Sequence, residues 1–199
     1  MFENQQRQEL YRFFARVFSY PDQPLLEDLV AEVSAAAAIL SKDPLPLVPP
    51  LHLHDLQVGY TELFISKHGG VPAPPYGSVY LDEAGQLMGQ TTLCVLQAYE
   101  GEGLVHEVGG EPADLIGTEL EFLYFLVGKE IGALAAEDKR SAEGYRQKQI
   151  DFCHTLLQPW VKPFCLRILE VADADPLYRW SAEMLLEFCR QEEEAFGVS

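Results

Sequence analysis

Seven carboxylates, Glu100, Glu102, Glu107, Glu111, Asp114, Glu119 and Glu121, fall within residues 100–121 with no lysine or arginine among them. A carboxylate accepts forked hydrogen bonds from a guanidinium, so such a run can seat a cationic peptide or ligand. It can equally be a solvated acidic face, and the residues alone leave both readings open. Metal chemistry is the next candidate. His52, His54 and Asp55 lie close in sequence, but alternate residues diverge by about 200° on a helix. Cys153, His154 and Cys165 would meet at a zinc ion only if two helices brought them together. No Glu-x-x-His exists, so the paired motif of helical di-iron centres is missing. Glu102 and His106 are four apart and read as a surface pair.

Enzymatic signatures are equally absent. The chain contains no G-x-x-x-x-G-K-[ST], no G-x-G-x-x-G and no G-x-S-x-G. Ser78 has no histidine on its own element, so no triad can be argued. No catalytic residue, cofactor or metal is therefore expected, and binding is favoured over catalysis.

These residues must be positioned by helices. Leu10, Phe13, Phe14, Val17 and Phe18 follow the 3.6-residue period of a first helix, with Asn4 as its expected N-cap. Tyr20 to Pro24 breaks the chain, and Leu25, Leu29 and Val33 mark a second helix to about Leu40. The prolines of 43–50 read as an extended linker. A third helix is expected from about His52 to Ile65. Ser66 to Gly89 is the longest irregular stretch, with a short strand signal at Val79-Tyr80-Leu81. A fourth helix runs from Thr91 or Thr92 to Tyr99. Pro112 is placed in the first turn of a fifth, to about Ala136. A sixth covers Lys139 to Leu157, a seventh Trp160 to Val171, and Asp175-Pro176 opens the last, to about Ala195. The fold class is all-α, a single-domain bundle of about seven or eight helices, with a hinge expected near 101–111.

Composition sets the limits. With 199 residues and 48% hydrophobic side chains, the chain can bury about 70% of its unfolded surface. Its formal charge of −17 excludes a phosphate-wrapping nucleic-acid binder and favours basic partners. Residues 17–128 hold two lysines, Lys42 and Lys67, against 16 acids. The four cysteines form no C-x-x-C pair and read as small buried hydrophobes. The N-terminal residues enter an amphipathic pattern directly, so no signal peptide is expected, and no apolar run is long enough to span a bilayer. A cytoplasmic protein without an integral membrane segment is the expectation.

Four segments carry a resemblance. They are Tyr60-Thr-Glu-Leu63-Phe64 with Pro74-Pro75-Tyr76-Gly77-Ser78-Val79-Tyr80-Leu81-Asp82; Leu87-Met88-Gly89; Glu111-Pro112-Ala113-Asp114-Leu115-Ile116-Gly117-Thr118-Glu119; and His154 followed by Pro159-Trp160 and Pro163-Phe164. In this order the chain resembles the TorD/DmsD/NarJ group of redox-enzyme maturation chaperones, its DmsD-like members above all, over about residues 7–190. The resemblance implies binding of the twin-arginine leader of a molybdopterin-dependent oxidoreductase precursor until cofactor insertion, then release to the export machinery. Asp114, Glu111 and Glu119 are then expected to meet the arginines, and Tyr76, Val79, Tyr80 and Trp160 to line an apolar groove. Gly77, Ser78, Pro112 and Leu115 complete the expected leader site. Structural roles compete: Tyr76 and Tyr80 as pins of the loop, Trp160 as a core anchor, Asp114 as an acceptor for helix-terminal N–H groups. Leu115 stands where the family pattern has histidine and offers none of an imidazole's hydrogen bonds or charge. The chain thus reads as a divergent but competent member. Competing functions are a nucleotide-hydrolysing enzyme and an adaptor for a non-exported molybdoenzyme. Monomer and domain-swapped dimer are both compatible with the loops.

Overall fold

The computed structural model describes residues 2–45, 51–83, 87–107 and 109–197. Most of the expected 43–50 linker lies outside these residues. Eight helices of more than one turn carry the described fold, with one further helix of five residues. Helix α1 (Asn4–Val17) buries Leu10, Phe13, Phe14 and Val17, the stripe read from the sequence. Its N-cap is Glu3, not Asn4: Glu3 N–H donates to Gln6 Oε1 at 3.1 Å, while the Asn4 amide reaches Glu130 Oε1 at 3.0 Å. Helix α2 (Gln23–Leu40) is capped by Asp22, whose Oδ1 accepts from Leu25 N at 2.8 Å. Helix α3 (Leu53–Tyr60) continues into a π turn at Thr61–Ile65.

Helix α4 (Gly77–Leu81) occupies the place of the expected strand signal. Five residues cannot hold a helix by themselves; tertiary contacts described below hold this one. Helix α5 is Gln90–Gly101, and α6 is Ile116–Ala135. Pro112 is therefore not in the first turn of α6 but in a turn that precedes it. Helix α7 (Lys139–Phe152) passes through a second π turn, Cys153–Leu157, into α8 (Gln158–Glu170). Helix α9 (Pro176–Phe196) starts as read, with Asp175 Oδ1 accepting from Leu177 N at 2.8 Å and proline in the first turn.

Helix α1 lies along α6 and also touches α2 and α9; α6 packs on α7, α8 on α9, and α4 is wedged between α5 and α8. One core runs through these contacts, rich in rings: Phe14 stacks on Phe188 at 5.7 Å and Phe18 meets Phe164 edge-on at 5.5 Å. Each such side chain contributes about 1.5–3 kcal/mol by leaving water. Cys153, Cys165 and Cys189 sit in this core as free thiols, and Cys94 is half-buried.

The core also holds an ion cluster. Buried Arg7 donates to Glu192 from Nε at 2.8 Å and from Nη2 at 2.7 Å, and to Gln149 Oε1 at 2.8 Å. Gln149 in turn donates to Glu130 Oε2 at 2.8 Å, and Tyr11 Oη to Glu192 Oε2 at 2.9 Å. Helices α1, α6, α7 and α9 are tied by this single network.

Candidate functional site

The sequence-predicted residues converge on α4. Tyr76 pairs through its backbone with Leu115 in an isolated antiparallel bridge. Ile116 N–H donates to Pro75 O and Gly77 N–H to Asp114 O, both at 2.9 Å. Asp114 completes the junction with its side chain. Its Oδ2 accepts from Ser78 N at 2.7 Å and its Oδ1 from Thr92 Oγ1 at 2.8 Å. The Asp114 side chain, supplied from a distant segment, thus accepts the Ser78 N–H at the start of α4, and through Thr92 it also fastens α5. The competing role expected of it is at the start of the helix it precedes; its side chain serves the start of α4 instead.

Glu119 and Trp160 lie beneath. Both are fully buried. Trp160 Nε1–H donates to Glu119 Oε2 at 3.3 Å, and Glu119 Oε1 is buried without a partner. A Cβ on Gly77 would stand 2.9 Å from Trp160 Nε1 and 3.3 Å from Glu119 Oε1, so glycine is required where α4 crosses the indole. Burial, with the nearby Asp114 adding to it, pushes the Glu119 carboxyl well above the usual carboxylate range. Tyr80 stacks on Trp160 at 5.5 Å, and the Arg167 guanidinium stands over the Tyr80 ring at 4.7 Å. This ladder holds α4 to α8.

Only part of the predicted set faces outward. Glu111 is exposed, and Tyr76, Val79, Tyr80 and Pro112 are half-buried. Gly77, Ser78, Asp114, Leu115, Glu119 and Trp160 are buried, and would meet a ligand only if residues 76–82 moved. The Tyr76 hydroxyl donates to Glu111 Oε2 at 2.7 Å, and burial, reinforced by this bond, raises its pKa above the ordinary tyrosine value. The acidic run is therefore not one face: Asp114 and Glu119 point inward, while Glu100, Glu107, Glu111 and Glu121 point out. Glu102 pairs with Lys148 rather than with His106, whose Nε2 lies 2.7 Å from Glu111 O.

Thr92, read only as a helix start, and Asp82, read only as part of a resembling segment, are not among the expected site residues. Asp82 Oδ1 accepts from Thr91 Oγ1 at 2.7 Å and from Thr91 N at 3.1 Å, joining the end of α4 to the start of α5. The signal was present as an aspartate ahead of Thr91-Thr92, but nine residues separate the partners. Among the described residues, no group of three or more His, Cys, Asp or Glu side chains is placed to hold a metal, and no helix is long and apolar enough to cross a membrane.

The family model for the nitrate reductase delta subunit matches residues 26–166, a span that contains every residue of this cluster except Arg167. The chain belongs to that family, the NarJ/TorD-type chaperones. It is one of maturation chaperones rather than catalysts. A crystal structure from Archaeoglobus fulgidus, provisionally assigned as a redox enzyme maturation protein, is similar over 97% of this chain and 97% of that one. It shows 27% identity and a TM-score of 0.59. No curated protein matches the chain.

Proposed function

We propose that this NarJ/TorD-type chain is a cytoplasmic chaperone that binds the N-terminal twin-arginine leader of a molybdopterin-dependent oxidoreductase precursor. It holds the precursor until its cofactor is inserted and then releases it to the export machinery. The observation that carries this reading is the family match over 26–166, which takes in the whole α4 junction. In this reading Glu111, Tyr76, Val79, Tyr80 and Pro112 meet the leader. Gly77, Ser78, Asp114, Leu115, Glu119 and Trp160 act as positioning residues that fix α4. An exposed arginine–carboxylate pair contributes only ~0–1 kcal/mol, so the arginines set register. Apolar burial, at about 25 cal/mol per Å², supplies most of the affinity.

Titration calorimetry tests this with a synthetic twin-arginine leader and a matched peptide with lysines in place of both arginines, at two salt concentrations. Saturable binding is expected, weakened by the lysine peptide and by Asp114→Ala. That substitution strips the acceptor from Ser78 N and Thr92 Oγ1, a cost of about 1–3 kcal/mol that loosens α4. Absence of binding to every twin-arginine leader would reject the reading. One alternative partner is the N-terminal segment of a reductase that is not exported. Binding to such a segment lacking the arginine pair would select it.

A further inference from the structure

Helix α4 is held closed by few contacts. Its fully buried residues are Gly77 and Ser78, and neither brings an apolar side chain into the core. Val79 and Tyr80 are half-buried, and Leu81 is exposed. A helix this short, burying this little, is not kept in place by propensity or by apolar area. What closes it is the Asp114 side chain on Ser78 N–H, the Tyr80 ring on Trp160, and Asp82 at the start of α5. Against these stand Ser78 Oγ, Tyr80 Oη and Glu119 Oε1, buried polar atoms without a protein partner, all in α4 or directly beneath it. Each gains hydrogen bonds from water once α4 lifts.

Of the three, Glu119 is the group whose charge changes most readily. Its carboxyl lies directly under Gly77, where a Cβ would stand 3.3 Å from Oε1, and its donor, the Trp160 indole, is neutral. Asp114, from the segment before α6, is a second buried carboxyl nearby, with its own donors on both oxygens. Tyr76 gives its hydroxyl to Glu111, and Tyr99 of α5 gives its own to Ala113 O. Burial pushes the Tyr80 and Tyr99 hydroxyls and the Cys165 thiol of α8 up, so all three are neutral below pH 8. Arg167 stands over the Tyr80 ring on the exposed side of α8, and Arg12 and Arg16 of α1 line a separate cavity with Glu121. Among the described residues, no cation forms an ion pair with Glu119 or Asp114. A carboxyl buried beside another, with no cation to offset it, is costly to ionise in place.

We propose that Glu119 is a proton-operated latch on α4: protonated, it lets the helix lie closed, and ionised, it makes the helix lift so that water reaches the carboxylate. The proton passes to solvent, and no other group in the fold has to take it. Opening uncovers Gly77, Ser78, Leu115 and Trp160, the part of the expected site that the closed helix shuts. The latch follows from the packing of α4 and stands apart from the leader reading. The closed form binds the Glu119 proton more tightly than the open form, so rising pH favours opening. Between the pKa values of the two forms, the open population rises by up to about tenfold per pH unit.

The test follows the Trp160 indole proton, which exchanges with solvent only when the indole is uncovered. The chain has two tryptophans, so Trp180→Phe assigns the two indole signals. Protection of Trp160 Nε1–H is measured by NMR on the full chain from pH 5 to pH 8, corrected for the intrinsic pH dependence of exchange, with and without low urea. Protection is expected to fall with pH by up to about tenfold per unit, and to be insensitive to low urea, because a local opening exposes little surface. Glu119→Gln keeps an acceptor for the indole and cannot ionise, so its Trp160 protection is expected to be level across the range. Glu119→Met serves in its place if Glu119→Gln loses the helical circular dichroism. Level protection in the unsubstituted chain overturns the latch, as does a fall that persists in the variant. Exchange that steepens with urea as global unfolding does also overturns it, since the whole fold and not α4 is then opening.

Discussion

Asp114 and Glu119 share one buried space but are held differently. Asp114 takes a donor on each oxygen, at 2.7 and 2.8 Å. Glu119 has one donor, the indole of Trp160 at 3.3 Å, and an oxygen with none. Burial and the neighbouring Asp114 raise the Glu119 pKa well above its ordinary value. The native state therefore keeps a proton that the unfolded chain releases above about pH 4.3. Unfolding in that window releases a proton, so stability falls as pH rises from the unfolded pKa toward the folded one. The slope approaches ~1.4 kcal/mol per pH unit from this group alone. Glu119→Gln keeps the acceptor for Trp160 and has no proton to lose. Thermal melts from pH 5 to pH 8 are expected to show wild type losing stability relative to Glu119→Gln as pH rises. Parallel curves would show that Glu119 is ionised in the folded protein. The sequence separates Glu119 from the exposed carboxylates around it, since it falls on the stripe of Leu115, Phe122, Leu123 and Leu126, but its partner Trp160 lies on another helix and could not be paired with it.

At the scale of elements, helices with one buried stripe were legible. Helix α1 and helix α9 follow their 3.6-residue period, and Asp175-Pro176 marks the start of α9. Helix α4 was not, because its hydrogen-bond partners come from residues 114–116, more than 30 positions away. The same distance hides the true start of α6, where Leu115 is drawn into a bridge with Tyr76. Arg7 was legible in principle: it shares the face of Leu10, Tyr11 and Phe14, and an arginine there must find a buried partner. Its two carboxylates, Glu130 and Glu192, lie on other helices and could not be paired from sequence. Arg7→Ala would leave both without their cation, at a cost of about 3–5 kcal/mol. At about 2–4 °C per kcal/mol for a chain of this length, the melting temperature should fall by roughly 10 °C. Arg7→Met combined with Glu192→Leu should recover much of that loss, since a buried ion pair is often replaceable by packed apolar groups. If the double variant melts lower than Arg7→Ala, the network is worth more than its desolvation cost. Amide exchange gives the matching test of motion. Helix α1 packs along α6 and on α9, so any hinge near 101–111 must part those faces to move the halves as bodies. Slower exchange across about 101–111 when leader is bound is expected; equal exchange with and without leader would count against the hinge.

At the scale of the whole molecule, charge acts on folding and binding with opposite signs. The net charge of −17 repels itself in the compact state. Few cations offset it locally: Arg7 is buried in its own network, and Arg16, Lys67, Lys148 and Arg190 are committed to surface carboxylates. Such exposed pairs contribute ~0–1 kcal/mol each, less than the long-range repulsion that added salt screens away. The Debye length falls from about 30 Å at 0.01 M to about 8 Å at 0.15 M, so the repulsion is lost first and the close pairs last. The melting temperature should therefore rise with sodium chloride. Attraction between the acidic surface and a cationic leader is screened by the same ions, so leader affinity should fall over the same range, mainly through slower association. Melting curves and stopped-flow binding at matched salt concentrations read the two effects on one sample. If affinity is flat while stability rises, the acidic surface serves solubility alone, and recognition of the leader must rest on apolar contacts without help from charge.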